Sequence, residues 1–251
     1  MSAEYFAPAR PRVLAHRGLA LEAPENTLLA FAKAVAAGAV YVETDVNESA
    51  DGVAVVSHDA DLSRVAGRKV RVNQLTMSEL RRVDLGHGQG FCSLAEALDA
   101  FPGTMFNIDV KSPGAVAPTI AAIASASAIP RVLVSSFSER RRVDAIAGLP
   151  GVATSTSARR FVPALLAGKI GSGFALRRSL GGVVAVQVPE RALGLRVTTA
   201  RMIGQLHAAG VEMHVWTVND PQRMRELLAM GVDGLVTDRA DLALQIVRES
   251  F

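Results

Sequence analysis

The sequence predicts an α/β chain folded as a (β/α)8 TIM barrel, with a small β-hairpin and loop insertion after the second strand. Three observations lead there. Short β-branched runs alternate with helical stretches along all 251 residues, giving about eight β–α units. No glycine-rich dinucleotide loop follows the first strand, which disfavours an open doubly wound sheet. The residues able to do chemistry stand at the carboxyl ends of the strand runs, where barrels build their sites: His16, Glu43, Asp45, Asp109, Lys111, Ser135, Ser136, Gln187, Trp216 and Asp238. With no linker and no repeat beyond the β–α unit, the chain reads as one domain, 1–251.

The first strand, 12–15, stops at His16-Arg17-Gly18. Thr27 caps a helix whose apolar stripe is Leu28, Leu29, Phe31, Ala32 and Val35, and Gly38 ends it. A second strand begins at Val40 and runs into Glu43 and Asp45, which share a face because alternate strand residues do. The connection 47–52 is six residues long, too short for a parallel crossover. Residues 53–56 therefore fold back as a hairpin arm and return His58 toward the sheet. Residues 62–90 are polar and Arg-rich, a loop with one short helix near 77–83. Then follow helix 94–100, strand 105–110, helix 116–126, strand 131–136, helix 139–147, strand 152–155 and a helix within 161–165. The last third reads as strand 183–188, helix 199–209, strand 211–218, a helix opened by Pro221, strand 233–237 and helix 242–247.

Composition excludes several classes. A hydrophobic share of 49% and a charged share of 20% are ordinary for a globular chain. The formal charge is +3, and the arginine runs 140–142 and 177–178 carry no interleaved aromatics, which argues for anionic small molecules and against nucleic acid. The single cysteine, Cys92, excludes an intramolecular disulfide. Residues 1–12 lack the apolar core of a signal peptide, and the weakly polar run 115–129 is too short to span a bilayer. A cytoplasmic protein with no stable membrane insertion is expected. Its oligomeric state is not legible.

Glu43, Asp45 and Asp109 offer oxygen ligands on neighbouring strands, suited to one Mg²⁺ or Ca²⁺; the bland alternative is a solvated acidic edge. Nothing has the Cys-rich or His spacing of zinc. His16 and His58 are candidates for an acid–base pair, since imidazole titrates near neutrality. Arg17 and Lys111 suit a phosphate, although either could simply pair with a carboxylate. His87, His207 and Cys92 read as structural, and His214 as facing the barrel interior. Trp216 and Gln187 are candidates for a substrate pocket.

The ordered set of motifs resembles the glycerophosphodiester phosphodiesterases, in their short bacterial cytoplasmic form. The likeness runs from Ala15-His16-Arg17-Gly18 and Pro24-Glu25-Asn26-Thr27 through Glu43-Thr44-Asp45 and His58-Asp59 to Asn107-Ile108-Asp109-Val110-Lys111. It continues in Ser135-Ser136-Phe137, Val215-Trp216-Thr217-Val218-Asn219 and Gly231-Val232-Asp233-Gly234. The resemblance implies a barrel enzyme that hydrolyses a glycerophosphodiester to glycerol 3-phosphate and an alcohol with one divalent metal. It implies His16 and His58 as acid and base, Glu43, Asp45 and Asp109 as metal ligands, and Arg17 and Lys111 on the phosphate. The nucleophile is water or the substrate's own 2-hydroxyl. The pattern is departed from in two places: Asp109 stands where most relatives have Glu, as in sphingomyelinase D-like relatives, and Cys92-Ser93-Leu94 replaces Pro-Thr-Leu. The loop 62–90 is expected to cover the site and influence the headgroup accepted. A lysophospholipase D-like phosphodiesterase of the same fold, and a non-catalytic barrel that binds a phosphorylated metabolite, are the alternatives.

Overall fold

The computed structural model describes residues 4–250. Eight strands run parallel around a barrel: β1 (Arg12–His16), β2 (Tyr41–Glu48), β3 (Met105–Val110), β4 (Val132–Ser135), β5 (Ala153–Thr154), β6 (Ala185–Val188), β7 (Glu212–Val215) and β8 (Gly234–Thr237). Each hydrogen-bonds to its neighbour in chain order, and β8 pairs with β1. The β5–β6 seam is thinner. It closes through one parallel bridge, Ser155 to Ala185, with Thr156 N donating to Ala185 O at 3.1 Å.

The two-residue period of the strands sorts their side chains into layers. Val13, Ala15, Val42, Phe106, Val132 and Val134 point outward into the apolar layer beneath the helices. Leu14, Tyr41, Leu133, Ala153, Ala185 and Val236 point inward and fill the barrel with Tyr5. The helices present matching stripes. Leu28–Ala36 buries Ala30, Phe31 and Ala34, is capped by Thr27, whose hydroxyl accepts from Ala30 N at 3.2 Å, and ends before Gly38 at φ +101.

The amino-terminal end of the barrel is plugged. The segment before β1 places Tyr5 edge-on to Tyr41, ring centroids 5.2 Å apart, and Tyr41 donates its hydroxyl to Tyr5 O at 2.7 Å. Arg12, buried beneath them, donates to both carboxylate oxygens of Glu212 at 2.8 and 3.0 Å. Among the described residues the carboxyl end is left open.

The predicted arm is present as Ala54–Val56, antiparallel to β2 with Val46 opposite Val56. The stretch after it is more structured than expected: Asp61–Leu62 pairs with Arg68–Arg71, and Ser63–Ala66 and Met77–Leu80 are helices. It encloses a separate apolar cluster of Val55, Leu62, Val72, Met77, Leu80, Val83 and Phe91. After β5 the expected short helix is longer, Ala158–Ile170, and a second helix, Gly173–Leu180, folds back against it through the left-handed turn at Gly171. No helix among the described residues is long and apolar enough to cross a membrane.

Candidate active site

The open end of the barrel holds a cavity of about 420 Å³. Every residue assigned to the site from sequence borders it: His16, Arg17, Glu43, Asp45, His58, Asp109, Lys111, Gln187 and Trp216. Parallel register brings them together, because Glu43 lies opposite Asn107 and Asp45 opposite Asp109 on the adjoining strands.

At the end of β1 the chain turns through two left-handed residues, Arg17 at φ 57 and Gly18 at φ 87. Glycine is required at position 18: a Cβ there would lie 2.7 Å from the carbonyl carbon of Ala30. The turn points Arg17 N–H at the Glu43 carboxylate, 3.2 Å away, and leaves the guanidinium between Glu25 at 3.0 Å and Asp45 at 3.4 Å.

His16 Nδ1 lies 2.6 Å from Asp238 Oδ1, and Nε2 lies 3.9 Å from Glu43 Oε2. An ionised carboxylate can only accept, so Nδ1 carries the proton in this pair and Nε2 is turned to the cavity. Asn219 holds Asp238 in turn, donating to Oδ2 at 2.7 Å. His58 repeats the arrangement, with Nδ1 2.7 Å from Asp59 Oδ1 and Asp59 gripped by Arg64 at 2.6 Å. Burial by itself opposes charge on His16. The hydrogen bond to Asp238 and the Glu43 carboxylate outweigh it, and the net shift is upward.

The floor between the two imidazoles is rich in carboxylates. Burial and the neighbouring Asp45 charge push Glu43 up to about 8. Asp109 is raised by burial despite Lys111. Burial also works against Asp45, but Lys111, His58 and Arg17 hold it below its ordinary value. Lys111 Nζ sits 3.0 Å from both Asp45 and Asp109, and Asn26 donates to Asp45 at 3.1 Å. Among the described residues, no three His, Cys, Asp or Glu side chains gather closely enough to form a ready cage for a metal. The lysine stands between two of the three expected ligands. The donor set nonetheless fits a hard cation. Asp109 Oδ1 and Asn107 Oδ1 are buried acceptors with no partner, and positive charge beside Glu43 would offset the burial and the Asp45 charge that raise it.

One expectation is corrected. The insertion 62–90 does not border this cavity; it packs behind His58, where Arg64, Val65 and Leu85 line a second hollow with Glu25, Asn26 and His58. The opposite wall is made by Thr156, Ala158, Phe161 and Val162 after β5, and by Pro189, Ala192 and Leu193 after β6. Sequence reasoning also missed the partners that orient the histidines. Asp59 adjoins His58 and Asp238 ends the last strand, so both were visible as residues but not as pairs. His207 bonds Asp233 and Cys92 is buried, in keeping with structural roles, and His214, read as facing the barrel interior, is fully buried and bonds Glu212. Gln187 Oε1 accepts from Ser155 across the seam at 3.1 Å, leaving its amide nitrogen without a partner.

Comparison with known proteins agrees with this geometry. The Glycerophosphoryl diester phosphodiesterase family profile matches residues 16–242. A Mycobacterium tuberculosis protein named "Probable glycerophosphodiester phosphodiesterase 2" is 39% identical over 236 residues, covering 93% of this chain and 89% of the relative. An Oleispira antarctica phosphodiesterase, solved in complex with the product sn-glycerol-3-phosphate, superposes with a TM-score of 0.78 at 25% identity, covering 95% of this chain and 97% of that one. A Mus musculus lysophospholipase D is 38% identical over a shorter stretch, 40% of this chain and 36% of the relative. With the profile running from the first site histidine to the last helix, this chain belongs to the glycerophosphoryl diester phosphodiesterase family of enzymes.

Proposed function

We propose that the chain hydrolyses glycerophosphodiesters to glycerol 3-phosphate and an alcohol, with a divalent cation and with His16 and His58 as base and acid. The observation that carries this reading is the pair of carboxylate-backed imidazoles bordering one acidic cavity. The M. tuberculosis relative and the product-bound O. antarctica neighbour support the substrate class.

Arg17 and Lys111 are the cations placed to take the non-bridging phosphate oxygens. His16, with its Nδ1 proton fixed on Asp238, offers Nε2 to the proton of the attacking hydroxyl. His58 stands on the hairpin arm, more open to solvent, and returns a proton to the departing alkoxide. Asp238 and Asp59 then stabilise whichever imidazole is charged. Glu43, Asp45 and Asp109 are the residues that would hold the Mg²⁺ or Ca²⁺. When bound, it supplies charge neutralisation at the phosphoryl oxygens beyond what the two basic side chains give. We place this chemistry in one domain spanning the chain, in the cytoplasm.

A second reading has its own support. Phe137 and Leu193 are exposed at the cavity, and Val162 lines it beside them. An acyl chain would suit that apolar wall, and the mouse relative is a lysophospholipase D. Release of glycerol 3-phosphate from glycerophosphocholine, set beside choline release from lysophosphatidylcholine, separates the two. The first substrate is expected to show the higher kcat/KM. The reverse order would favour the second reading, and turnover of neither would overturn both.

A further inference from the structure

The helical hairpin after β5 departs from the outer shell of the barrel around it. Elsewhere exposed apolar side chains stand singly, as Val35 and Val143 do, or are absent, as on Pro221–Ala229, where Met224, Leu227 and Leu228 are buried and Gln222, Arg225 and Glu226 are exposed. Helix Ala158–Ile170 buries Phe161, Ala164, Leu165 and Ala167 against the barrel. It also turns Val162, Leu166 and Ile170 outward, four residues apart and so on one stripe. Leu166 is 52% exposed and Ile170 80%; Phe174, at the start of the next helix, is 74% exposed. An exposed apolar stripe on a helix whose opposite face is already buried belongs where it too is covered. The stripe continues to the cavity mouth, since Val162 lines the cavity and Leu193 beside it is 70% exposed.

Charge points to what covers it. From Ala145 to Pro189 the chain carries Arg159, Arg160, Lys169, Arg177 and Arg178 and not one Asp or Glu. The other 22 Lys and Arg face all 24 Asp and Glu in the rest of the chain. Arg160 is committed to Glu139 at 3.0 Å. Among the described residues Arg159, Lys169, Arg177 and Arg178 make no salt bridge, and all are exposed. Cations flanking exposed aliphatic and aromatic side chains on amphipathic helices match the interfacial region of a bilayer with anionic headgroups. A second copy of this chain would bring the same uncompensated cations against themselves, which is unfavourable.

We propose that the face formed by helices Ala158–Ile170 and Gly173–Leu180 docks on an anionic phospholipid surface, with the apolar stripe in the headgroup boundary and the four cations on the phosphates. The contact lies beside the cavity mouth and leaves the two histidines, Arg17, Lys111 and the three carboxylates untouched.

Flotation with vesicles tests this on the full chain. Phosphatidylcholine vesicles containing phosphatidylglycerol are expected to carry the protein upward, and phosphatidylcholine alone is not. Added salt should weaken the binding. The charge variant Arg159→Gln/Lys169→Gln/Arg177→Gln/Arg178→Gln should lose on the order of 10³-fold in vesicle affinity. The apolar variant Leu166→Ser/Ile170→Ser/Phe174→Ser should lose binding by a similar factor. Thermal unfolding and turnover of water-soluble glycerophosphocholine should be unchanged in both, so failure here is separable from failure of the enzymatic reading. Absence of binding by the unmodified protein would overturn the proposal, as would full binding by both variants. So would a dimer in light scattering that the apolar variant dissociates, without any vesicle binding.

Discussion

His16 and His58 look alike in the chain but are set differently in the structure. His16 is fixed by Asp238 and Glu43 at the end of a barrel strand; His58 hangs on the arm with Asp59 and Arg64 behind it. That difference supports base and acid roles, and a leaving-group experiment resolves them. Replacing either by Ala is expected to lower kcat by roughly 10²-fold or more on glycerophosphocholine. On a p-nitrophenyl phosphodiester, whose leaving group needs no proton, His58→Ala should recover most of its loss and His16→Ala should not. Equal losses on both substrates would reverse or remove the assignment. At this scale the site was largely legible, because strand-end positions converge whenever a barrel closes. What was not legible were the pairings. Asp238 reaches His16 only because β8 closes on β1, a contact across 222 residues of sequence that no local pattern encodes.

At the scale of elements, the hairpin arm was legible from connection length alone, and its register places His58 at the cavity. The insertion behind it was not. Its strands are only two and four residues long, and its apolar residues are spaced to cover a small separate cluster and not the main core. Through Arg64 it joins both halves of the site, since Arg64 bonds Asp59 at 2.6 Å and Glu25 at 2.6 Å, and Glu25 holds Arg17 at 3.0 Å. Burial alone would raise Glu25. Its hydrogen bond from Arg64 and the nearby Arg17 instead hold it below its ordinary value, so it stays charged for both partners. Arg64→Ala is therefore expected to lower kcat by roughly tenfold through misplacement of His58 and Arg17, with the fold intact. Steady-state kinetics beside thermal unfolding checks this, and an unchanged kcat would confine the insertion to a scaffolding role. The second helix after β5 escaped the sequence reading for a related reason. It is only eight residues long and buries just Leu176 and Leu180, too short a stripe for periodicity to mark.

Over the whole molecule the two ends of the barrel divide the work. The amino-terminal end is closed by Tyr5, Tyr41 and the Arg12–Glu212 pair, and the carboxyl end carries the cavity. Burial opposes the Glu212 charge, but hydrogen bonds from His214 and Arg12 prevail and lower it from 4.5 to about 2. Between these values the unfolded chain binds the extra proton, so the stability this group contributes is present above pH about 4.5 and is lost as pH falls toward about 2. Glu212→Gln should flatten that part of the acid limb and cost about 3 kcal/mol at neutral pH by leaving Arg12 uncompensated. Denaturant unfolding across pH measures both effects, and an unchanged acid limb would show that other carboxylates carry it. The barrel itself was legible because the β–α alternation is periodic over the whole chain. At the other end the acidic floor is proposed to work with a divalent cation. The most direct test is glycerol 3-phosphate release from glycerophosphocholine by EDTA-treated, dialysed protein, before and after Mg²⁺ or Ca²⁺ is restored. Turnover is expected to fall to background and return with the metal, whereas full turnover in chelator would contradict a role for the cation.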